Sequence, residues 1–209
     1  VETNGLTVSR LVERWGGAAS YRDVVTDDAD ALRGAIESDL DHDIVVTTGG
    51  SSVGERDLVP EAVADLGEVL VHGVALRPGH PVAFGAVEGT PVVMLPGYPV
   101  SCIVTAVQLL RPAVKRAGGL PAGEHPTVTA ELAEKIRSEP GRRTFARVEL
   151  TGSEGSNEAG ERVARPTRAG GAGVLSSVAL ADGWVVVPES REGIPAGETV
   201  AVEDWEPAP

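Results

Sequence analysis

The sequence predicts two folded parts: residues 1–120 form a largely parallel α/β sheet covered on both faces, and residues 121–209 form a small β domain. Three observations carry this reading. Helical patterns alternate with short extended runs through the first part, as in layered α/β domains. Ile44-Val45-Val46 is a short apolar run bounded by turn residues, the pattern of a strand buried on both faces. After Gly118-Gly119-Leu120-Pro121 the texture changes to short strand-like runs separated by turn clusters.

Taken in order, Asn4 to Trp15 reads as a helix with Leu6, Leu11 and Val12 on one face, ended by Gly16-Gly17. Tyr21 to Val25 reads as a strand, and Asp28 is placed to cap a helix carrying Leu32, Ala35 and Ile36. Asp57 to Leu66 is again helical and Val69-Leu70-Val71 extended. Val82–Val87 and Val92–Leu95 flank Glu88-Gly89-Thr90, a hairpin turn, and Val100 to Ala117 makes a long helix stopped by glycines. In the second part, Thr127–Leu132, Phe145–Leu150, Arg162–Arg165, Trp184–Val187 and Val200–Val202 read as strands, with Gly152 to Gly160 a polar hairpin tip.

Composition narrows the function classes. Of 209 residues, 42% are hydrophobic and 23% charged, the profile of a globular protein in water. No run approaches the roughly 18 apolar residues of a membrane helix. A single cysteine excludes an internal disulfide framework and a cysteine-cluster zinc site, and makes a reducing compartment, the cytoplasm, the expectation. The sequence starts at Val1 with no basic n-region or apolar signal core, so a piece of a longer protein is expected rather than a secreted one. With 31 acidic and 18 basic residues the net charge is −13, which disfavours nucleic acid and acidic membranes as partners. The nets are −7 before Pro121 (9 basic, 16 acidic) and −6 after it (9 basic, 15 acidic), so the acidity is global. Lys115 and Lys135 are the only lysines. Halophilic adaptation and codon drift over an ordinary acidic surface both account for this composition.

Two glycine-rich turns fall where a layered α/β sheet binds ligands, outside the carboxyl ends of strands. Thr48-Gly49-Gly50-Ser51-Ser52-Val53-Gly54 follows the Ile44–Val46 run; its glycines admit close backbone approach, and its N–H groups with the Ser51 and Ser52 hydroxyls offer donors to an anion. Asp57 stands where a helix begins and serves equally as a cap or as a functional carboxylate. No lysine follows the glycines as in a Walker loop, and the G-x-G-x-x-G spacing is absent. The second turn, Leu95-Pro96-Gly97-Tyr98-Pro99-Val100-Ser101, is stiffened by two prolines and places Ser101 at a helix start. Cys102 beside it reads as a small core residue. Arg77-Pro78-Gly79-His80-Pro81 carries two basic groups on a stiff loop, where Arg77 either forks a phosphate or pairs with a surface carboxylate. His42, His72 and His125 show no metal-ligand spacing, and no Ser/His/Asp nucleophile set is evident.

Together, Glu2-Thr3-Asn4, Asp27-Asp28, the Thr48-to-Asp57 run, Arg77-Pro78-Gly79-His80-Pro81 and Leu95-Pro96-Gly97-Tyr98-Pro99-Val100-Ser101 resemble, in order, the molybdopterin molybdotransferase family. The resemblance continues through Pro140-Gly141-Arg142-Arg143-Thr144-Phe145-Ala146-Arg147 and Leu175-Ser176-Ser177. It implies a three-layer, mostly parallel molybdopterin-binding α/β domain over 1–120, its first strand missing, and a C-terminal β-barrel-like domain over 121–209. It implies molybdenum insertion into adenylylated molybdopterin, consuming molybdate and releasing AMP with Mg2+ present, in a homodimer working beside other cofactor-biosynthesis enzymes. Asp57 and Asp27 match acidic catalytic and metal-holding positions. Gly49, Gly50, Ser51, Ser52 and Gly54 match the pterin-phosphate cradle, and Pro96, Gly97, Pro99 and Ser101 its second wall, with Arg77 and His80 as further substrate contacts. Two carboxylates suit a hard cation bridging phosphate oxygens. The chain differs from the family in having Arg77 and His80 where lysines are common, Tyr98 where Asn is common, and no serine within Gly170-Gly171-Ala172-Gly173. The family's lid domains have no counterpart here. Two other readings share parts of this pattern: a molybdopterin adenylyltransferase, which has a similar G-G-x-S-x-G turn, and a non-catalytic binding module like the related domain of gephyrin.

Overall fold

The structure is a computed structural model and describes residues 3–50, 58–152, 162–167 and 180–205. The chain forms two compact units: residues 1–74 with 79–122, and residues 75–78 with 123–209.

In the first unit, helix α1 (Asn4–Arg14) turns Val8 and Leu11 into the core and stops at Gly16, whose φ is +92°. The predicted face differs here: Leu6 is 50% exposed, and the buried stripe is Val8, Leu11 and Trp15, spaced three and four residues apart. Helix α2 (Ala29–Glu37) starts as expected at Asp28, whose carboxylate accepts from the Ala31 N–H at 2.9 Å. Strand β1 (Val45–Thr48), helix α3 (Leu58–Leu66) and strand β2 (Glu68–His72) follow. The two-residue strand β3 (Leu76–Arg77) belongs to the second unit. Strands β4 (Ala83–Val87) and β5 (Thr90–Leu95) form the expected hairpin, with Glu88 at φ +50° and Gly89 at φ +88°.

The sheet order is β1-β5-β4-β2. It is mixed: β1 runs parallel to β5, whereas β4 is antiparallel to both β5 and β2. Ile36, Val59, Val63, Val92 and Met94 belong to one core cluster with Ala62, and burying a side chain of the valine, isoleucine or methionine kind contributes about 1.5–3 kcal/mol. Tyr21–Val25 has strand composition but enters no ladder; Tyr21 and Val24 are exposed. Composition favours a strand only where a neighbouring strand completes its hydrogen bonds.

The long helix comes in three pieces: α4 (Pro99–Thr105), a π turn at Ala106–Leu110, and α5 (Arg111–Ala117). Pro112 accounts for the π turn. It lacks an N–H, and in a regular helix its ring would meet the carbonyl of Gln108; widening the preceding turn relieves that conflict.

The second unit is a closed five-stranded barrel. Strands β6 (Thr127–Leu132), β8 (Arg143–Thr151), β9 (Val163–Pro166), β10 (Gly183–Val187) and β12 (Thr199–Glu203) join in the cycle β10-β12-β6-β9-β8, closed by the β8–β10 pairing. Closure leaves no open edge among the ring strands. Alternate residues point inward, so Leu132, Val148, Ala164, Val185, Val187 and Val202 fill the interior. Strand β3 adds parallel to β8 outside the ring, and β7 (Ile136–Arg137) pairs with β11 (Gly193–Ile194). Most of the anticipated 152–160 hairpin tip lies outside the described residues. No helix among the described residues is long and apolar enough to cross a membrane.

Candidate functional site

Strands β1 and β5 are parallel neighbours, so their carboxyl ends deliver both glycine turns to one place. The Gly49 N–H donates to the Leu95 carbonyl at 3.0 Å, continuing the ladder one step beyond Thr48. Gly49 and Gly97 then pass so closely that a methyl group on Gly97 would stand 3.2 Å from the Gly49 Cα. Gly49 and Gly50 have φ of +88° and +69°, a region side-chain-bearing residues rarely adopt. A Cβ on Gly50 would also meet Val59 at 2.6 Å, so glycine there lets the chain turn tightly onto α3. From α1, the Asn4 amide donates to the Gly97 carbonyl at 2.8 Å and fixes the second turn from the other side. Two turns held this way present backbone, not side chains, to whatever lies above them.

The remaining predicted residues divide. Pro96 is buried and Pro99 half-buried, which makes the second turn rigid; Tyr98 between them is 64% exposed. Ser101 is 4% exposed and lies among the core residues of α4, as does Cys102, so its hydroxyl is not offered to solvent. Asp27 is exposed, and its carboxylate enters no ion pair or hydrogen bond among the described residues. It lines the same groove, of about 770 Å³, as Thr48, Gly49 and Gly50. Ser51, Ser52, Gly54 and Asp57 lie outside the described residues, and no group of three or more potential metal ligands occurs among the rest. Arg77, at the end of β3, sits 3.3 Å from Glu139 within the second unit. His80 belongs to the first unit, and its Nδ1 lies 2.9 Å from the Val74 carbonyl. A carbonyl only accepts, so Nδ1 carries a proton and donates it to Val74, which leaves Nε2 as the ring nitrogen free for another contact.

One group absent from the predicted set stands out in the barrel wall. Arg147, on β8, has a buried Nε with no hydrogen-bond partner among the described residues, and burial pushes its guanidinium pKa down. Its cross-strand neighbour Thr167, whose N–H donates to the Arg147 carbonyl, also has a buried, unpartnered Oγ1. The alternation of Phe145-Ala146-Arg147-Val148 puts Arg147 on the outward side of its strand, and outward arginines are ordinarily solvated, so sequence pattern alone gave no sign of its burial.

A layered α/β unit with paired glycine turns at parallel strand ends, followed by a closed barrel, defines a pterin-binding class of chain once compared with known proteins. The family described as "Probable molybdopterin binding domain" matches residues 1–116, and "MoeA C-terminal region (domain IV)" matches residues 129–205. The chain belongs to the MoeA family of molybdopterin biosynthesis proteins. It is 37% identical over 204 residues to a protein named for molybdopterin biosynthesis in Methanocaldococcus jannaschii, covering 97% of this chain and 46% of that one. It is 30% identical over 206 residues to the molybdopterin molybdenumtransferase of Haemophilus influenzae, covering 98% and 50%. The solved MoeA protein of Pyrococcus horikoshii superposes with a TM-score of 0.82 at 34% identity, covering 99% of this chain and 49% of that one. The chain spans about half the length of the curated relatives it matches.

Proposed function

We propose that this chain is the pterin-handling part of a molybdopterin molybdenumtransferase, acting in the last step of molybdenum cofactor synthesis. Adenylylated molybdopterin and molybdate are the substrates; AMP and molybdenum cofactor are the products. The observation that carries the reading is the Gly49–Gly97 approach, which brings the two glycine-rich turns together at the carboxyl ends of the parallel strands β1 and β5. We assign Gly49, Gly50, Ser51, Ser52 and Gly54 to one side of the substrate site and Pro96, Gly97 and Pro99 to the other, with His80 as a supporting contact; the burial of Ser101 removes it from that set, and Arg77, which lies in the second unit, is left out of it. The domain division we propose is 1–120 for pterin binding and 121–209 for the barrel.

Asp27 suits a hard cation, because it is an oxygen donor committed to no other partner among the described residues. With Asp57 it would hold Mg2+, which would neutralise phosphate-oxygen charge as the anhydride to AMP is cleaved. The chain's own residues do the rest: the glycine turns let the substrate come close to the backbone, and Asn4 keeps the second turn in place. The barrel favours this reading over an adenylyltransferase, since the second family match covers it.

The test is AMP release from adenylylated molybdopterin in a full-length protein carrying this chain. Asp57→Asn keeps a hydrogen-bond acceptor for a helix start but loses the charge. It is expected to fold and bind the pterin, with stability within about 1 kcal/mol of wild type, yet lose most Mg2+-dependent AMP release. Turnover near wild type would reduce Asp57 to a helix cap.

A further inference from the structure

Aromatic side chains are scarce in this chain: two tyrosines, two phenylalanines and three tryptophans. Trp15, Phe145 and Trp184 are buried, Phe84 and Trp205 half-buried, and Tyr21 and Tyr98 exposed. Tyr98 is the most exposed of those given to solvent, and it follows Gly97 directly, at the carboxyl ends of β1 and β5. Elsewhere the fold covers its rings. Trp184 stacks on Trp205 with centroids 5.6 Å apart and meets the edge of Phe145 at 5.7 Å. The Tyr98 side chain enters no ring contact and no hydrogen bond among the described residues.

The residue type also breaks a local rule. Tyr98 is the N-cap of α4, with φ −73° and ψ 125°, and its side chain makes no capping bond. Asn, Ser or Asp in that place would accept from a first-turn N–H. The sequence forgoes that bond and sets an exposed ring there instead. Local rules broken without a structural gain mark functional positions.

The backbone that carries the ring is held on both sides. The Asn4 amide donates to the Gly97 carbonyl at 2.8 Å, and the Cys102 N–H donates to the Tyr98 carbonyl at 2.9 Å. Pro99 further confines Tyr98 to extended conformations. Only the side-chain torsions remain to be ordered when something covers the ring, so covering it costs little entropy. A phenol ring offers a flat face with a polar rim, which suits a flat heterocycle laid against it. Gly49 and Gly97 alongside leave the neighbouring backbone open to close approach.

We infer that Tyr98 is a stacking platform for the fused nitrogen heterocycle of a phosphate-bearing ligand, the rest of which runs over the glycine turns. The inference rests on the reading of those turns as the substrate site. Adenylylated molybdopterin carries two such heterocycles, the pterin and the adenine, and both present the flat face that the ring recognises.

The test uses the 209-residue chain with AMP and neopterin monophosphate as separate probes, followed by proton NMR and calorimetry. A heterocycle stacked on Tyr98 has its own ring protons shifted upfield, a signature that a purely structural role for Tyr98 does not produce. Tyr98→Phe keeps the platform and is expected to retain the shift and to bind within about twofold of wild type. Tyr98→Leu keeps apolar bulk without the aromatic face; it is expected to abolish the shift and weaken binding on the order of tenfold. The side chain is exposed, so neither change disturbs the core, and thermal melts check that both variants fold. The probe that shows the shift identifies the heterocycle that stacks. Gly49→Ala separates the platform from the site beneath it. Binding weakened by Gly49→Ala but not by Tyr98→Leu upholds the glycine turns and overturns the platform. Binding weakened by Tyr98→Leu but not by Gly49→Ala upholds the platform and removes the turns from the substrate site. A shift that persists in Tyr98→Leu, or no shift in wild type with either probe, also overturns the platform.

Discussion

Gly49 and Gly97 set the limits of the cradle at the scale of single residues. Gly49→Ala puts a side chain at φ +88° and is expected to cost about 1–2 kcal/mol in urea unfolding, with no nearby relief because the ladder bond to Leu95 holds the turn. His80 differs in kind. Its Nδ1 is spent on Val74, which leaves one ring nitrogen to face an anion, whereas a lysine ammonium brings three donors on a flexible stem. His80→Lys is therefore expected to tighten pyrophosphate binding several-fold by calorimetry; unchanged or weaker binding removes His80 from the substrate contacts. The glycines were legible in the sequence because the need for positive φ is local. Arg147 was not, because the burial of an outward strand residue depends on what packs over it in three dimensions.

Elements repeat that division between local and long-range causes. Helix α2 and the β4–β5 hairpin were readable from a cap and a turn, since the bonds that define them lie within a few residues. The pairs β3–β8 and β7–β11 were not, because two-residue strands exist only through partners tens of residues away. Tyr21–Val25 is the converse, strand-forming residues that join no ladder. The hairpin offers a test. Glu88 sits at φ +50°, where Asn is better tolerated, so Glu88→Asn is expected to stabilise the protein by roughly 0.5–1 kcal/mol in thermal melts. In the barrel, hydrogen bonds from the Arg191 guanidinium hold the Glu198 carboxyl below its usual range. A depressed folded-state pKa stabilises above the unfolded value, about 4.3, and that contribution is lost as pH falls through the folded one. The difference in melting temperature between wild type and Glu198→Gln should thus be small near neutrality, because the pair is exposed, and vanish in more acidic solution.

Across the whole molecule the governing quantity is charge. The 13 uncompensated negative charges divide almost evenly between the two parts of the chain, so neither part relieves the other. We propose that the chain is adapted to salt and that it assembles as a weak homodimer, which light scattering over a concentration series checks; a constant monomer mass rejects the dimer. The salt proposal sets two electrostatic effects against each other. Ion pairs such as Arg22–Asp39, Arg33–Asp65 and Arg191–Glu198 weaken as salt screens them. Repulsion among the surplus carboxylates weakens too, and that stabilises. Such exposed pairs already lie in water and contribute little, so relief of repulsion outweighs their loss. The screening length falls from about 10 Å at 0.1 M to about 3 Å at 1 M, which covers the spacing of neighbouring surface carboxylates. The melting temperature is therefore expected to rise between about 0.1 M and about 2 M KCl. A control separates screening from a general salt effect on apolar burial. Glu61, Glu68 and Asp43 enter no ion pair among the described residues. Replacing them with Gln, Gln and Asn removes repulsion without touching the core, so the rise should shrink in that variant. A flat or falling melting temperature in wild type, or an equal rise in the variant, would leave the acidity as composition without consequence for stability.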